Sequence, residues 1–596
     1  MKAVKSSNKK RSRNITIGTV IGFLLSCTAV MGAGDYLWIK EDSGKIKFST
    51  DSTTDSAEGT WNERNPYENA GNIWDKDTKT YTNNTLLSSN AANGKNSSGR
   101  NISYGLRLSG ELTDVNFINN SSIGEMSGVA YNYGYGIYNE STKMGNIENT
   151  GEISGTGTAS GYGIYNSNSV EMKNITNTGE ISGTAKGLDG GTYGGAGYGI
   201  YNYQGTIVDI ENTGRISGTG SGFSSSDGEG EGYGIYNSSS TMGAITNTGE
   251  ISGTGKGDGT GAGTGYGINN SSSGKIGDIT NTGEISGSGK STSGKSEGSG
   301  IYNSAEMKNI KNTGRISGTG ADSSSDSKGY GIYNDSGAIG AITNEGVISG
   351  TSTNGTGIHN ASGISKEMGK IINTGIISGS GNSTSHASTG YGINNSSGKI
   401  GDIKNTGAIN GSGKTSGAST GYGIHNDKTY GKEIGNITNE GVISGSGTST
   451  GGNGEGYGIY NGATMGDIEN TGLISGTGYN NTSTGTSDTG SGIHNKSDSK
   501  EMGKITNIGI INGYGAGESS STGTGYGINN ESGTIGDITN TGVISGYGSG
   551  HDTGYGYGIS NITTPGNTTT MGAIINTGII SGTGTGGSGS GIYNGS

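Results

Sequence analysis

Isoleucine constrains this chain more than any other residue, because it falls on a grid. In the stretch GYGIYNSSSTMGAITNTGEISGTG, residues 232–255, Ile235, Ile245 and Ile251 each open a short word that ends on Asn or Gly. The first word, G-[YST]-G-I-x-N, places Ile at fifteen positions from Ile137 to Ile592, at spacings of 26 to 36 residues. Its commonest form, GYGIYN, begins verbatim at 134, 161, 197, 232, 329 and 456. Between the copies, I-x-N-x-G-x-I-[SN]-G occurs fourteen times. A recurrence of this length marks a repeat architecture, and it overrides any reading as ordinary domains.

Composition narrows the choice. Hydrophobic residues are 27% of the 596 and Gly alone contributes 128, while Pro occurs only at Pro66 and Pro565. That is too little apolar material for a large conventional core. A disordered Gly/Ser chain would be indifferent to where its Ile residues fall, so a solenoid with a thin core is expected.

The words fix the kind of solenoid. Side chains alternate across a strand, so in I-x-N the Ile and Asn share one side and x points away. Turn-forming Asn and Gly follow at once. Three such words, joined by corners, make one coil, and each word pairs with its counterpart one repeat later. The expected fold is all-β, a right-handed parallel β-helix of about 15 coils, on the order of 70 Å long at ~4.8 Å per coil. The Gly/Ser/Thr fillers after each I-S-G can bury nothing and are expected to protrude as loops. Helix is excluded by the density of Gly and Asn.

Comparing the repeats with one another adds detail. The Asn of G-I-x-N is kept in every copy, as at Asn139, Asn166, Asn202 and Asn237. So is the first Asn of the second motif, as at Asn149, Asn177, Asn212 and Asn247. Stacked on identical neighbours, such amides can run hydrogen-bond ladders. The x after Ile varies among Tyr, His, Asn and Ser, as an outward position should. It is Tyr at Tyr138, Tyr165, Tyr201, Tyr236, Tyr302, Tyr333, Tyr460 and Tyr593. With the Tyr that follows the first Gly in eleven copies, these form an aromatic stripe. Two readings stand side by side: rings that stack to stabilise the rod, or a surface that docks glycans or proteins.

The ends differ from the array. Residues 1–33 read as a signal peptide, with a basic stretch from Lys2 to Arg13, an apolar run from Ile15 to Val30 and small residues around Ala29, Gly32 and Ala33. Leu24-Leu25-Ser26-Cys27 is a loose lipobox, which makes Cys27, the only cysteine, a candidate for lipidation. Residues 34–100 hold Trp38, Trp61, Trp74 and Phe48 and are expected to cap the N-terminal edge. Residues 101–133 read as irregular first coils, and 134–596 as the array. Without the six basic residues of the leader, 31 basic residues face 49 acidic ones, a net charge near −18. That excludes nucleic acid and anionic membrane surfaces as electrostatic partners.

Chemistry-bearing motifs are decoys of composition. Gly289-Lys290-Ser291 and Gly413-Lys414-Thr415 resemble phosphate-loop ends, but the required upstream Gly is replaced by Glu284 and Ala408. Gly294-Lys295-Ser296-Glu297-Gly298 spells a nucleophile elbow with no His nearby. His359, His425 and His494 share the outward x position two coils apart, about 10 Å, too far to ligate one metal, and read as surface drift. The regular Asp of calcium-binding solenoids is missing. No cofactor, metal or catalytic residue is expected.

The repeated ITNTGxISG and GIYN words, with the long basic leader, resemble the passenger region of autotransporters, particularly of fusobacterial type. The likeness covers the leader and residues 134–596. It implies export by a Gram-negative bacterium, display at the outer membrane or release outside the cell, and adhesion to host cells, glycans or bacterial partner proteins. A surface coat or spacer without a ligand is the first rival reading, and a β-helical polysaccharide-acting enzyme the second. Proteins of this family end in a membrane β-barrel. This sequence stops within a repeat at Ile592-Tyr593-Asn594, so the resemblance implies anchoring only through a barrel outside it, or through Cys27.

Overall fold

The computed structural model describes residues 36–595 apart from 51–60, 89–93, 96–100, 125–131, 168, 188–193, 223–227, 322–325, 364, 428–431, 482–486, 519–521 and 564–568. The leader and Cys27 lie outside the described residues.

The chain is an all-β parallel solenoid of about 14 turns. Each coil contributes four strands, for example Gly230–Ser238, Thr241–Met242, Ile245–Asn247 and Glu250–Lys256. Each pairs in parallel with its counterpart one repeat on: Ile235 with Ile268, Met242 with Ile276, Ile245 with Ile279 and Ile251 with Ile285. A slip of one residue would turn a whole column of Ile into solvent, which holds the register although repeat length varies.

The three words read from the sequence account for three of these strands. The second strand was missed. It is only two residues long, and its apolar member, Met242 in this coil, stands three residues before the Ile of I-x-N. Ile235, Met242, Ile245 and Ile251 are buried to within 1% and together fill one half of the cross-section.

The other part is filled mostly by backbone, with a few small buried side chains such as Ala185 and Ser449. Here the ISGTG strand of one coil lies against the GxGYG strand of the next, and glycines alternate on the facing sides. A methyl group on Gly253 would collide with the backbone carbonyl of Tyr266, and one on Gly232 with that of Thr254. Close approach of bare backbones therefore does what side chains do elsewhere. This corrects the expectation for the fillers. In the filler after Gly445, residues through Ser449 extend one strand, Gly454 begins the next, and only 450–453 leave the stack.

The N-terminal segment continues the same columns. Leu37 pairs with Leu106, which pairs with Ile137, and Tyr81 pairs with Phe117, which pairs with Ile147. Two antiparallel hairpins close this end, Leu37–Asp42 with Lys45–Ser49 and Ile73–Asp75 with Thr80–Asn83. Trp38 meets Trp61 edge to face at 4.8 Å, and Arg107 and Lys40 lie over the two rings.

Candidate functional site

The conserved asparagines form two ladders through the interior. Asn139, Asn166, Asn202, Asn237 and Asn270 each pass an Nδ2–H to the Oδ1 of the next, at 2.8 to 3.0 Å. Asn149, Asn177, Asn212, Asn247 and Asn281 do the same at 2.7 to 2.8 Å. The second amide hydrogen is used at the corner, where Asn247 donates to the carbonyls of Gly249 and Glu284. Every donation runs toward the C-terminal coil, so the ladder needs an acceptor-side terminator. For the ladder through Asn149, which runs back through Asn119 and Asn83, Asn72 supplies it, donating to Asn83 while its own Oδ1 accepts the Asn84 N–H and the Thr85 hydroxyl; the other ladder starts at Asn139, whose Oδ1 accepts the Ser141 hydroxyl. These buried amides are satisfied by repetition and are structural.

A third Asx column was not recognised in the sequence. The residue before the Ile of I-x-N is repeatedly Asn or Asp, and its Oδ1 accepts a backbone N–H from the next coil. Asp209 does so from Ala244, Asp278 from Asn309 and Asp402 from Asn436. Its signal was the recurrence of Asn or Asp at that one corner position.

The tyrosines form a double row along one edge. In the inner row Tyr135, Tyr162, Tyr198 and Tyr233 stack nearly parallel at 4.7 to 5.0 Å. In the outer row Tyr138 stacks on Tyr165 at 5.3 Å. The rows touch each other, as Tyr162 with Tyr165 at 5.2 Å and Tyr233 with Tyr236 at 4.9 Å. Tyr138, Tyr165, Tyr201, Tyr236, Tyr302, Tyr333 and Tyr460 are half-buried, and Tyr593, in the last coil, is 41% exposed. Ring faces inside the row are covered by neighbours, and phenol edges point out. Several phenols donate to carboxylates: Tyr233 to Glu231 at 3.0 Å, Tyr266 to Glu297 at 2.7 Å, and Tyr302 and Tyr333 both to Asp335 at 2.9 and 2.8 Å. Burial raises the Glu231 and Glu297 carboxyls and pushes the Tyr391 phenol up to about 12.

The histidines belong to this seam rather than to a drifting surface position. His359 packs edge-on against Tyr330 and Tyr333, and His425 lies 4.5 Å from Tyr422. Burial drives the His359 imidazole down to about 3 and that of His425 to about 4, so both are neutral at pH 7. His359, Ser396 and Asn394 imitate a nucleophile–base–orienter set, with Ser396 Oγ 2.9 Å from His359 Nε2 and Asn394 Nδ2 3.2 Å from His359 Nδ1. The tautomer is wrong for that chemistry. Asn394 Oδ1 accepts from His425 Nδ1, so its amide donates to His359 Nδ1 and leaves the proton on Nε2, facing Ser396. His494 instead meets Glu531 at 3.1 Å, a contact that holds the Glu531 carboxyl down at about 2.

Away from the seam, a cleft of about 430 Å3 opens in the capping segment between Trp74, Lys45, Glu63, Lys76, Lys79 and Glu111. Lys45 and Glu63 are paired across it at 2.7 Å. Among the described residues no group of three His, Cys, Asp or Glu side chains converges as metal ligands, and no helix is long and apolar enough to cross a membrane.

One outward column changes chemistry along the stack. It is the position just before the Ile of I-S-G. From Glu152 it runs through Glu180, Arg215, Glu250, Glu284 and Arg315, with ion pairs from Arg215 to both Glu180 and Glu250. From the next coil on it is Val347, Ile376, Ala408, Val442, Leu473, Ile510, Val543 and Ile579. Ile376 and Ile510 are each 44% exposed there.

No family model, curated protein or solved structure matches the chain.

Proposed function

We propose that this chain is an exported β-helical rod, displayed at the surface of a Gram-negative bacterium or released from it, and that it acts as an adhesin-like or structural spacer. The observation that carries the reading is the unbroken stack itself. Four buried apolar residues, two amide ladders and a glycine seam are repeated coil after coil, so nearly the whole sequence is spent on length. Variation is left to outward positions and turn segments, where a rod meets its surroundings. The basic leader and the resemblance to autotransporter passengers support export. Anchoring then comes from a membrane barrel outside this sequence or from Cys27.

The test is binding of the purified chain to host cells, bacterial cells and a glycan panel, against a Gly/Ser-rich chain of similar charge. Saturable binding lost on Tyr236→Ser with Tyr333→Ser supports the adhesin. Binding no stronger than the control overturns the adhesin. That result is the one expected of a coat or spacer, a reading favoured by rings that turn their faces to one another. A polysaccharide-acting enzyme lacks support from His359, whose tautomer cannot activate Ser396.

A further inference from the structure

We infer that the cleft in the capping segment is a binding site for a neutral oligosaccharide, with the Trp74 ring as its platform. It stands apart from the tyrosine seam and does not rest on adhesion, since a coat or spacer carries it equally well. At about 430 Å3 it falls within the ~300–1,000 Å3 of small-molecule sites. The three tryptophans of the cap are used differently. Trp38 and Trp61 pack on each other and are covered by Arg107 and Lys40. Trp74 is half-buried and held edge to face on Phe48 at 5.8 Å, and among the described residues no cation lies over its ring. It lines the cleft together with Ile46 and Val115.

The charges around this apolar floor select the class of ligand. Lys45, Lys76 and Lys79 balance Glu41, Glu63 and Glu111. Zero net charge gives neither an anion nor a cation an advantage. What these side chains offer is hydrogen bonds of both senses around one aromatic ring, donated by the lysines and accepted by the glutamates. A pyranose matches that arrangement, with C–H groups on its faces and hydroxyls at its edge that both donate and accept. Two of the acceptors are already oriented through one oxygen each. Glu41 Oε1 accepts the Gly44 N–H and Glu111 Oε1 accepts the Thr113 hydroxyl, which leaves the second oxygen of each for a ligand. Lys45 and Glu63 pair at the exposed rim, where an ion pair is worth little and opens easily. A second cleft of about 330 Å3 adjoins the first, sharing Trp74, and is balanced too, with Arg64 and Lys76 against Glu63 and Glu68. Together the two have room for more than one sugar ring.

Calorimetric titration of the full chain with neutral tetrasaccharides of glucose, galactose, mannose and N-acetylglucosamine tests this. Saturable binding of at least one is expected, with a matching change in tryptophan fluorescence. Trp74→Ala weakens it about tenfold, the worth of one aromatic contact. Lys76→Ala and Glu111→Gln, at exposed side chains, weaken it as well, and unchanged circular dichroism confirms that the variants fold. Tyr236→Ser with Tyr333→Ser leaves it as it was, which separates this site from any glycan held by the seam. A heparin tetrasaccharide and free glutamine, as anionic and zwitterionic probes, bind no more tightly than the neutral sugar. No saturable binding, binding indifferent to the three cleft variants, binding lost with the seam variant, or a preference for either charged probe overturns the proposal.

Discussion

Tyr266 stacks at 5.0 Å on Tyr302, not on Ser299, the residue that occupies its own position one coil later. The exchange exposes a rule. Where the inner row loses its ring, at Ser299, Thr356 or Ser491, the outer row supplies one, at Tyr302, His359 or His494. Where the outer row has Asn269, Asn394 or Asn529, the inner has Tyr266, Tyr391 or Tyr526. Each of these coils keeps one ring over the same edge.

Tyr302→Ser should therefore cost more than Tyr165→Ser. Tyr302 is the only ring of its coil, whereas Tyr162 remains behind when Tyr165 is lost. A difference of about 1 kcal/mol is expected from a lost aromatic contact. Amide exchange in the strands around residues 296–303 reports it, and equal protection in the two variants would contradict the rule.

The amide ladder predicts a local failure. Asn247→Ala leaves the Asn212 Nδ2–H and the Asn281 Oδ1 buried without their partners. The cost is about 2–6 kcal/mol at ~1–3 kcal/mol per orphaned group. Because a solenoid is stabilised coil by coil, the loss should appear as proteolysis near residues 212–281 before any change in bulk melting.

The glycine half should be intolerant of a single methyl. Gly253→Ala drives a Cβ into the Tyr266 carbonyl, and the two strands must part, at a cost of several kcal/mol. At Gly417 the nearest atoms lie 3.7 Å from the added Cβ, so Gly417→Ala should be near neutral. Thermal unfolding of the pair measures the contrast.

Acid should loosen the rod through its histidines. Burial holds His359 at about 3 and His425 at about 4, below the ordinary 6.5. The unfolded chain then binds more protons than the folded one throughout that interval. Stability is full above about pH 6.5 and falls as pH drops toward those values, by roughly 2 kcal/mol per imidazole at pH 4.5. His359→Tyr and His425→Tyr keep a ring in the seam and remove the titration. A melting temperature that falls just as much between pH 7 and 4.5 in these variants would refute the assignment.

The fold class was legible because alternation is local. Ile, x and Asn must take opposite sides of a strand wherever that strand lies, and a chain with so few apolar residues can bury Ile235, Ile245 and Ile251 only by stacking copies. The ladders follow from the same step, since an Asn kept in every copy meets itself. Other features depend on which strands come face to face, and no single repeat specifies that. The glycines of ISGTG read as filler until the next coil's GxGYG strand lies against them. His359 reads as a surface residue until Tyr330 and Tyr333 close over it. Ile376 and Ile510 stand far apart in the chain and become one column only when the register sets Ala408, Val442 and Leu473 between them. The sequence by itself determined what each strand buries. The tertiary structure decided what each outward residue meets, because contacts between coils join residues some thirty positions apart through turns of unequal length.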